Sequence, residues 1–147
     1  MMRMLACRCG RFHYGQYGAA GLVLTNNSGE VLLARRSEFV HRPGTWAFPG
    51  GALERGETDA DCALREAEEE LGIDPGAVVV TTTVPGVDHG VWRYTYVVGT
   101  LAPETTRIRL RLNWETDAVT WLMPDQVDTL VLHPDLRDSW PTLQSLW

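Results

Sequence analysis

At 147 residues with 44% apolar side chains, the chain suits one compact domain with a core of its own, and its composition excludes a disordered or fibrous protein. Its formal net charge of −6 repels phosphodiester backbones; this argues against broad polynucleotide binding and leaves a small phosphorylated substrate open. No stretch approaches the ~20 apolar residues of a membrane-spanning helix.

Residues 1–16 carry little periodicity and read as an N-terminal arm or irregular edge segment, with the domain proper over 17–147. They lack the apolar run of a secretory signal. The three cysteines, Cys7, Cys9 and Cys62, form no regular framework and read as reduced thiols of a cytoplasmic protein. Cys7 and Cys9, with His13 nearby, supply half of a zinc-site pattern, but no second ligand pair follows.

Gly18 to Thr25 is small and apolar and predicts a buried strand; Asn26-Asn27-Ser28-Gly29 is turn chemistry; Glu30 to Arg36 predicts the returning strand of a hairpin. His41 to Gly51 is a Pro- and Gly-rich loop with a short strand, Thr45 to Phe48, inside it. Thr58 to Leu71 is the clearest helix. Ala60, Ala63, Leu64, Ala67 and Leu71 recur at helical spacing, Thr58 or Asp59 can cap the start, and Gly72 fits the stop. Val78 to Val84 is a β-branched run. Trp92, Tyr94 and Tyr96 alternate with Arg93, Thr95 and Val97 in a further strand, and Ile108, Leu110 and Leu112 alternate with Arg107, Arg109 and Arg111 as a half-exposed one. Ala118 to Leu122 is the last strand. A short helix is expected at Pro124 to Leu130 and another near Ser139 to Leu146, with Pro141 in its first turn. Strands and helices mixed in this order imply a sheet with helices on its faces.

Chemistry concentrates between Gly50 and Ile73. Glu66, Glu69 and Glu70 stand at i, i+3 and i+4, neighbours on one helix flank beside the apolar stripe, whereas Glu68 points away into solvent. Like charges this close repel, and a hard divalent cation such as Mg²⁺ or Mn²⁺ removes that cost. Taken alone, an acidic helix flank is more often simply solvated. Arg65, four positions before Glu69, can pair with a carboxylate; Glu57 lies near the helix start, where the macrodipole favours it; Gly50-Gly51 permits a tight turn whose carbonyl is a hard ligand.

The run Gly51, five residues, Glu57, seven residues, Arg65-Glu66-Ala67, one residue, Glu69-Glu70, one residue, Gly72-Ile73 resembles the full signature box of the Nudix hydrolase family. Ala67 is smaller than the aliphatic residue usual at its place. Trp46-Ala47-Phe48-Pro49-Gly50 resembles the strand entering the box in MutT-like members. The resemblance implies an α/β/α sandwich with a mixed sheet, and Mg²⁺-dependent hydrolysis of a phosphoanhydride in a nucleoside diphosphate derivative. On matching positions it makes Glu66, Glu69, Glu70 and the Gly50 carbonyl metal ligands, with Glu57 and Arg65 as electrostatic supports. Glu66 is the first candidate for general base and Glu115 the second; the alternative for Glu115 is an ordinary loop charge. Arg36 is the preferred phosphate-binding arginine, with Arg35 and Arg42 behind it.

Phe48, Trp92, Tyr94 and Tyr96 could stack on a base, although aromatics at strand spacing are more often core, and His133 is a candidate for the base pocket. Pro85 lies too close to the box to be the proline of ADP-ribose enzymes, and Tyr94 comes too late to be the tyrosine of diadenosine-polyphosphate enzymes. A nucleoside triphosphate, oxidised or not, is therefore the expected substrate. A nucleotide sugar or other diphosphate is the alternative, and a catalytically inactive nucleotide-binding domain the third reading. No polynucleotide or membrane partner is expected, and a homodimer is left open.

Overall fold

The computed structural model describes residues 4–6, 12–14, 17–88, 92–105 and 107–147. Strands β1 (Met4–Ala6) and β2 (Phe12–Tyr14) pair antiparallel as a small separate sheet, so part of the expected N-terminal arm or irregular edge segment is paired strand. Cys7 and Cys9 lie outside the described residues.

The main sheet is built around β3 (Ala19–Thr25), which runs parallel to β8 (Arg93–Leu101) over its whole length. β7 (Val78–Asp88), longer than the β-branched run suggested, pairs antiparallel with the far side of β8. On the other flank β4 (Val31–Arg36) pairs antiparallel with β9 (Thr116–Leu122) and with β5 (Trp46–Ala47). The β3–β4 hairpin forms at its turn, where the Asn26 side-chain oxygen accepts from the Ser28 and Glu30 N–H groups and Gly29 adopts φ 80°. Pairing of the two strands is confined to Thr25 and Val31. Beyond that point the hairpin opens, because β6 (Gly50–Ala52) takes the edge of β3, and the Leu22 N–H donates to the Pro49 carbonyl at 2.8 Å. Gly50 and Gly51 are therefore strand residues rather than a free turn.

Successive residues of β3 and β4 bury into opposite layers, which is why both read as continuous apolar runs. Ala20, Leu22, Leu24, Leu32 and Ala34 meet α1 (Asp59–Leu71) through Ala63, Ala67 and Leu71. Val23, Val31 and Leu33 face the other way, with Leu136, Trp140 and Leu143 of α2 (Pro134–Gln144). This is a mixed sheet between two helical layers, as expected. Each fully buried leucine contributes on the order of 1.5–3 kcal/mol. Among the described residues no helix is long and apolar enough to cross a membrane.

The ends of α1 follow from sequence. The Thr58 hydroxyl accepts from the Asp61 N–H at 3.1 Å. Gly72, at φ 72°, donates its N–H to Glu68, and Ile73 donates to Ala67.

Two expectations are corrected, and the short helix expected at Pro124 to Leu130 is present in 3-10 form over Pro124–Thr129. Residues 107–112 form no strand and join no sheet, although burial alternates from Arg107 to Arg111. The Arg111 N–H donates to Leu71 O at 2.7 Å and the Asn113 N–H to Glu70 O at 2.9 Å, so this segment satisfies carbonyls at the α1 C-terminus. α2 begins at Pro134, so Pro141 lies inside the helix rather than in its first turn.

Candidate active site

The opened hairpin and the last turns of α1 define the site. Arg36 closes β4, Gly50 opens β6, Glu70 comes from α1, and Glu115 precedes β9; all four line one small cleft with Phe48 and Thr116. Ser37, which sequence reasoning missed, anchors the Glu115 loop. Its hydroxyl donates to Trp114 O at 2.7 Å and its N–H donates to Glu115 O at 2.9 Å. Ser37 is 4% exposed; the signal in the sequence was a lone serine directly after the apolar strand.

Glu70 is buried and accepts the Gly50 N–H at 3.2 Å. Burial, then the negative charges of Glu66 and Glu115, push its carboxyl well above the usual range, and Arg36 only partly opposes them. Glu66 lies against Gly51, where a Cβ would come within 2.5 Å of its carboxyl carbon. Burial chiefly raises Glu66 to about 7, with Glu69 and Glu115 adding to the shift and Arg65 opposing it. Glu69 is exposed and turned toward Arg65 at 3.4 Å.

Arg65 is the hub of the acidic flank. Its Nε and Nη2 grip Glu57 at 2.8 and 3.0 Å, its Nη1 reaches Glu66 at 3.0 Å, and its Nη2 also donates to Ala52 O at 3.1 Å. The pairing holds the Glu57 carboxyl below its usual range. Beneath it the Cys62 thiol donates to Gly51 O, and burial raises its pKa to about 12, so it is an inert packing group.

The other sequence candidates fall in distinct places. Arg36 Nε donates to His41 O, holding the side chain at the cleft. Arg35 pairs with Asp117 at 2.7 Å and stacks over Trp46. Phe48 is 4% exposed and packs on Tyr96 and Trp140, which leaves little ring surface for a base. Tyr94 aims its hydroxyl at the glycine pair of β3 and β6, where a Cβ on Gly21 or Gly50 would lie 2.2 or 2.6 Å from it. His133 caps α2, its Nδ1 accepting from the Asp135 N–H at 3.2 Å; its pKa is lowered to about 4, chiefly by burial, with Arg36, Arg42 and His41 adding to the shift and Asp135 opposing it. Trp92 is buried beside Tyr94.

These donors suit a hard divalent cation: buried carboxylates that repel one another, next to a strand carbonyl. Among the described residues, no three acidic, imidazole or thiol side chains stand close enough to hold an ion as they lie, and Glu69 is turned to Arg65.

The NUDIX domain profile matches residues 16–145. The chain belongs to the Nudix family. A Mycobacterium tuberculosis relative, provisionally named 8-oxo-dGTP diphosphatase 3, is 37% identical over 142 residues, covering 90% of this chain and 64% of its own length. A Bifidobacterium longum nucleoside triphosphate pyrophosphatase/Nudix hydrolase fusion protein is 34% identical over 92% of this chain and 29% of its own length. The chain thus spans less than two thirds of these curated relatives. Among solved structures, a Nudix hydrolase from M. smegmatis, RenU, superposes with a TM-score of 0.88 at 33% identity, over 98% of this chain and 93% of that one. A MutT protein from Methanosarcina mazei Go1 shares the fold, with a TM-score of 0.70 at 22% identity over 88% of this chain and 94% of that one. The Nudix box of this chain is therefore the α1 flank and the Gly50–Ala52 strand described above.

Proposed function

We propose that the chain hydrolyses a phosphoanhydride bond of a nucleoside triphosphate, oxidised forms included, with Mg²⁺ as cofactor and Mn²⁺ as a substitute. The observation that carries this reading is that Gly50, Glu70, Glu115 and Arg36 line one cleft, with Glu66 against the adjoining Gly51 and the carboxyls of Glu66 and Glu70 raised chiefly by burial. The relatives' names, including 8-oxo-dGTP diphosphatase, support the substrate class.

Glu66, Glu70 and the Gly50 carbonyl would hold the cation, with Glu69 joining after turning from Arg65. A bound divalent ion supplies neutralisation of phosphate charge and a lower pKa for attacking water. Arg65 and Glu57 fix the helix flank so that its carboxylates keep one geometry. Arg36, at the mouth of the cleft, is placed to take the distal phosphates. Glu66 or Glu115 accepts the proton as water attacks phosphorus. Phosphoryl transfer of this kind depends mainly on positioning and charge stabilisation, which is what these side chains provide.

The test is a substrate panel with Mg²⁺: dGTP, 8-oxo-dGTP and nucleotide sugars, with products identified. Preferred release of pyrophosphate from a triphosphate supports the reading. Preferred cleavage of a nucleotide sugar moves the substrate class, and binding without turnover on every compound overturns the reaction.

A further inference from the structure

We propose that the segment 107–112, together with the exposed rings of Trp114 and Phe39, forms a docking track for the single-stranded 5′ end of an oligonucleotide whose terminal phosphates enter the cleft. The location of the phosphates rests on the hydrolytic reading above; the affinity of the track for nucleic acid does not.

The track is built by alternation. Ile108 and Leu110 pack partly buried against the α1 side of the core, which turns Arg107, Arg109 and Arg111 outward, and all three are exposed. Alternate residues of an extended chain lie roughly 6.5–7 Å apart, a spacing comparable to that of successive phosphodiesters in an extended strand. Among the described residues none of the three has an ion-pair partner, although the chain as a whole is acidic at −6. Paired arginines look different here: Arg35 and Arg65 each meet a carboxylate at 2.7–2.8 Å.

The segment leads into the site. Asn113 is hydrogen-bonded to Glu70 O, and Glu115 lines the cleft. Between them Trp114 is 63% exposed, and Phe39, beside the cleft-lining Val40, is 70% exposed. Both rings hang from Ser37, whose hydroxyl donates to Trp114 O and accepts the Phe39 N–H. Exposed aromatic faces followed by unpaired guanidinium groups are what a single strand recognises, by base stacking and by phosphate pairing. A second copy of the chain pairing along this edge would bring the same cations alongside each other, which disfavours that occupant. The acidic net charge excludes a broad nucleic-acid surface and leaves this local stripe intact.

The test is fluorescence anisotropy with 3′-labelled oligoribonucleotides of one, two, four and eight residues, each carrying a 5′-monophosphate that cannot be hydrolysed at an anhydride. Affinity is expected to rise about tenfold or more from one to four residues and then level off. Three phosphate contacts to a single strand correspond to a log–log salt slope of roughly 2, and that slope should vanish in the variant Arg107→Gln/Arg109→Gln/Arg111→Gln. Arg109→Gln alone should remove about a third of it. Trp114→Ala should weaken the tetramer about fivefold or more, with circular dichroism showing all three variants folded. Length-independent binding, an unchanged salt slope in the triple variant, or equal competition by poly-glutamate would each overturn the track. If oligomers bind as expected while no nucleotide is hydrolysed, the reaction fails and the track stands.

Discussion

Arg65 holds Glu57 across the start of α1 by two parallel hydrogen bonds, Nε to Oε2 at 2.8 Å and Nη2 to Oε1 at 3.0 Å. Both side chains are largely shielded, at 24% and 12% exposure, so the pair is weakly screened. Lysine cannot reproduce the fork. Arg65→Lys should therefore lower unfolding free energy by about 1.5–3 kcal/mol, the worth of a charged hydrogen bond, as read by urea denaturation. It should also lower kcat, because the same guanidinium orients Glu66. An unchanged midpoint would show that the clasp is dispensable.

Adjacent glycines should respond differently to alanine. A Cβ on Gly51 meets the Glu66 carboxylate at 2.5 Å, a movable side-chain end, whereas a Cβ on Gly50 meets Ala20 O and Gly21 Cα, which are backbone. Gly51→Ala is expected to fold and to lose about 100-fold in kcat, the scale set by misplacement of a catalytic group. Gly50→Ala is expected to lose stability first, seen as a lowered Tm. A folded and fully active Gly51→Ala protein would contradict the role given to Glu66.

Glu70 links stability and function with opposite signs. Burial and the charges of Glu66 and Glu115 make its ionised form unfavourable. Glu70→Gln should therefore leave the metal-free protein as stable as wild type or more so, while raising the Mg²⁺ concentration needed for activity by more than the roughly 10–100-fold typical of losing a group that merely supports a ligand. Titration of activity against Mg²⁺, beside thermal melts without metal, checks both halves.

Stability should also depend on pH in two separable ways. Folding raises Glu66 from 4.5 to about 7, so the folded state holds that proton more tightly. The resulting stabilisation is full below pH 4.5 and is lost as pH rises through 7. Metal-free wild type should lose Tm between about pH 5 and 8, Glu66→Gln should flatten that slope, and Mg²⁺ should restore more Tm at pH 8 than at pH 5.

His133 has the reverse sign. Folding lowers it from 6.5 to about 4, so its contribution is present above 6.5 and is lost as pH falls toward 4. His133→Asn keeps a capping acceptor for α2 without a titrating ring. It should retain more of its neutral-pH Tm than wild type when both are melted at pH 4.5; identical losses would remove His133 as the acid-sensitive cap.

Sequence alone determined α1, its Gly72 stop, and the shared flank of Glu66, Glu69 and Glu70, because helix periodicity and capping are local, and it narrowed the N-cap to Thr58 or Asp59, of which the structure uses Thr58. It also determined the buried character of β3 and β4, since residues enclosed on both faces must be apolar throughout. Only the tertiary structure decided that the β3–β4 hairpin opens to admit residues 46–52, and that residues 107–112, strand-like in period, pair with the end of a helix. Likewise, spacing could not show that Phe48 packs its ring on Trp140 while lining the cleft, or that the hydrogen bonds of Ser37 bring Glu115 to the same cleft. A period of two reports that a chain is extended with one face inward, but hydrogen-bond partners come from distant residues, and those are chosen by packing.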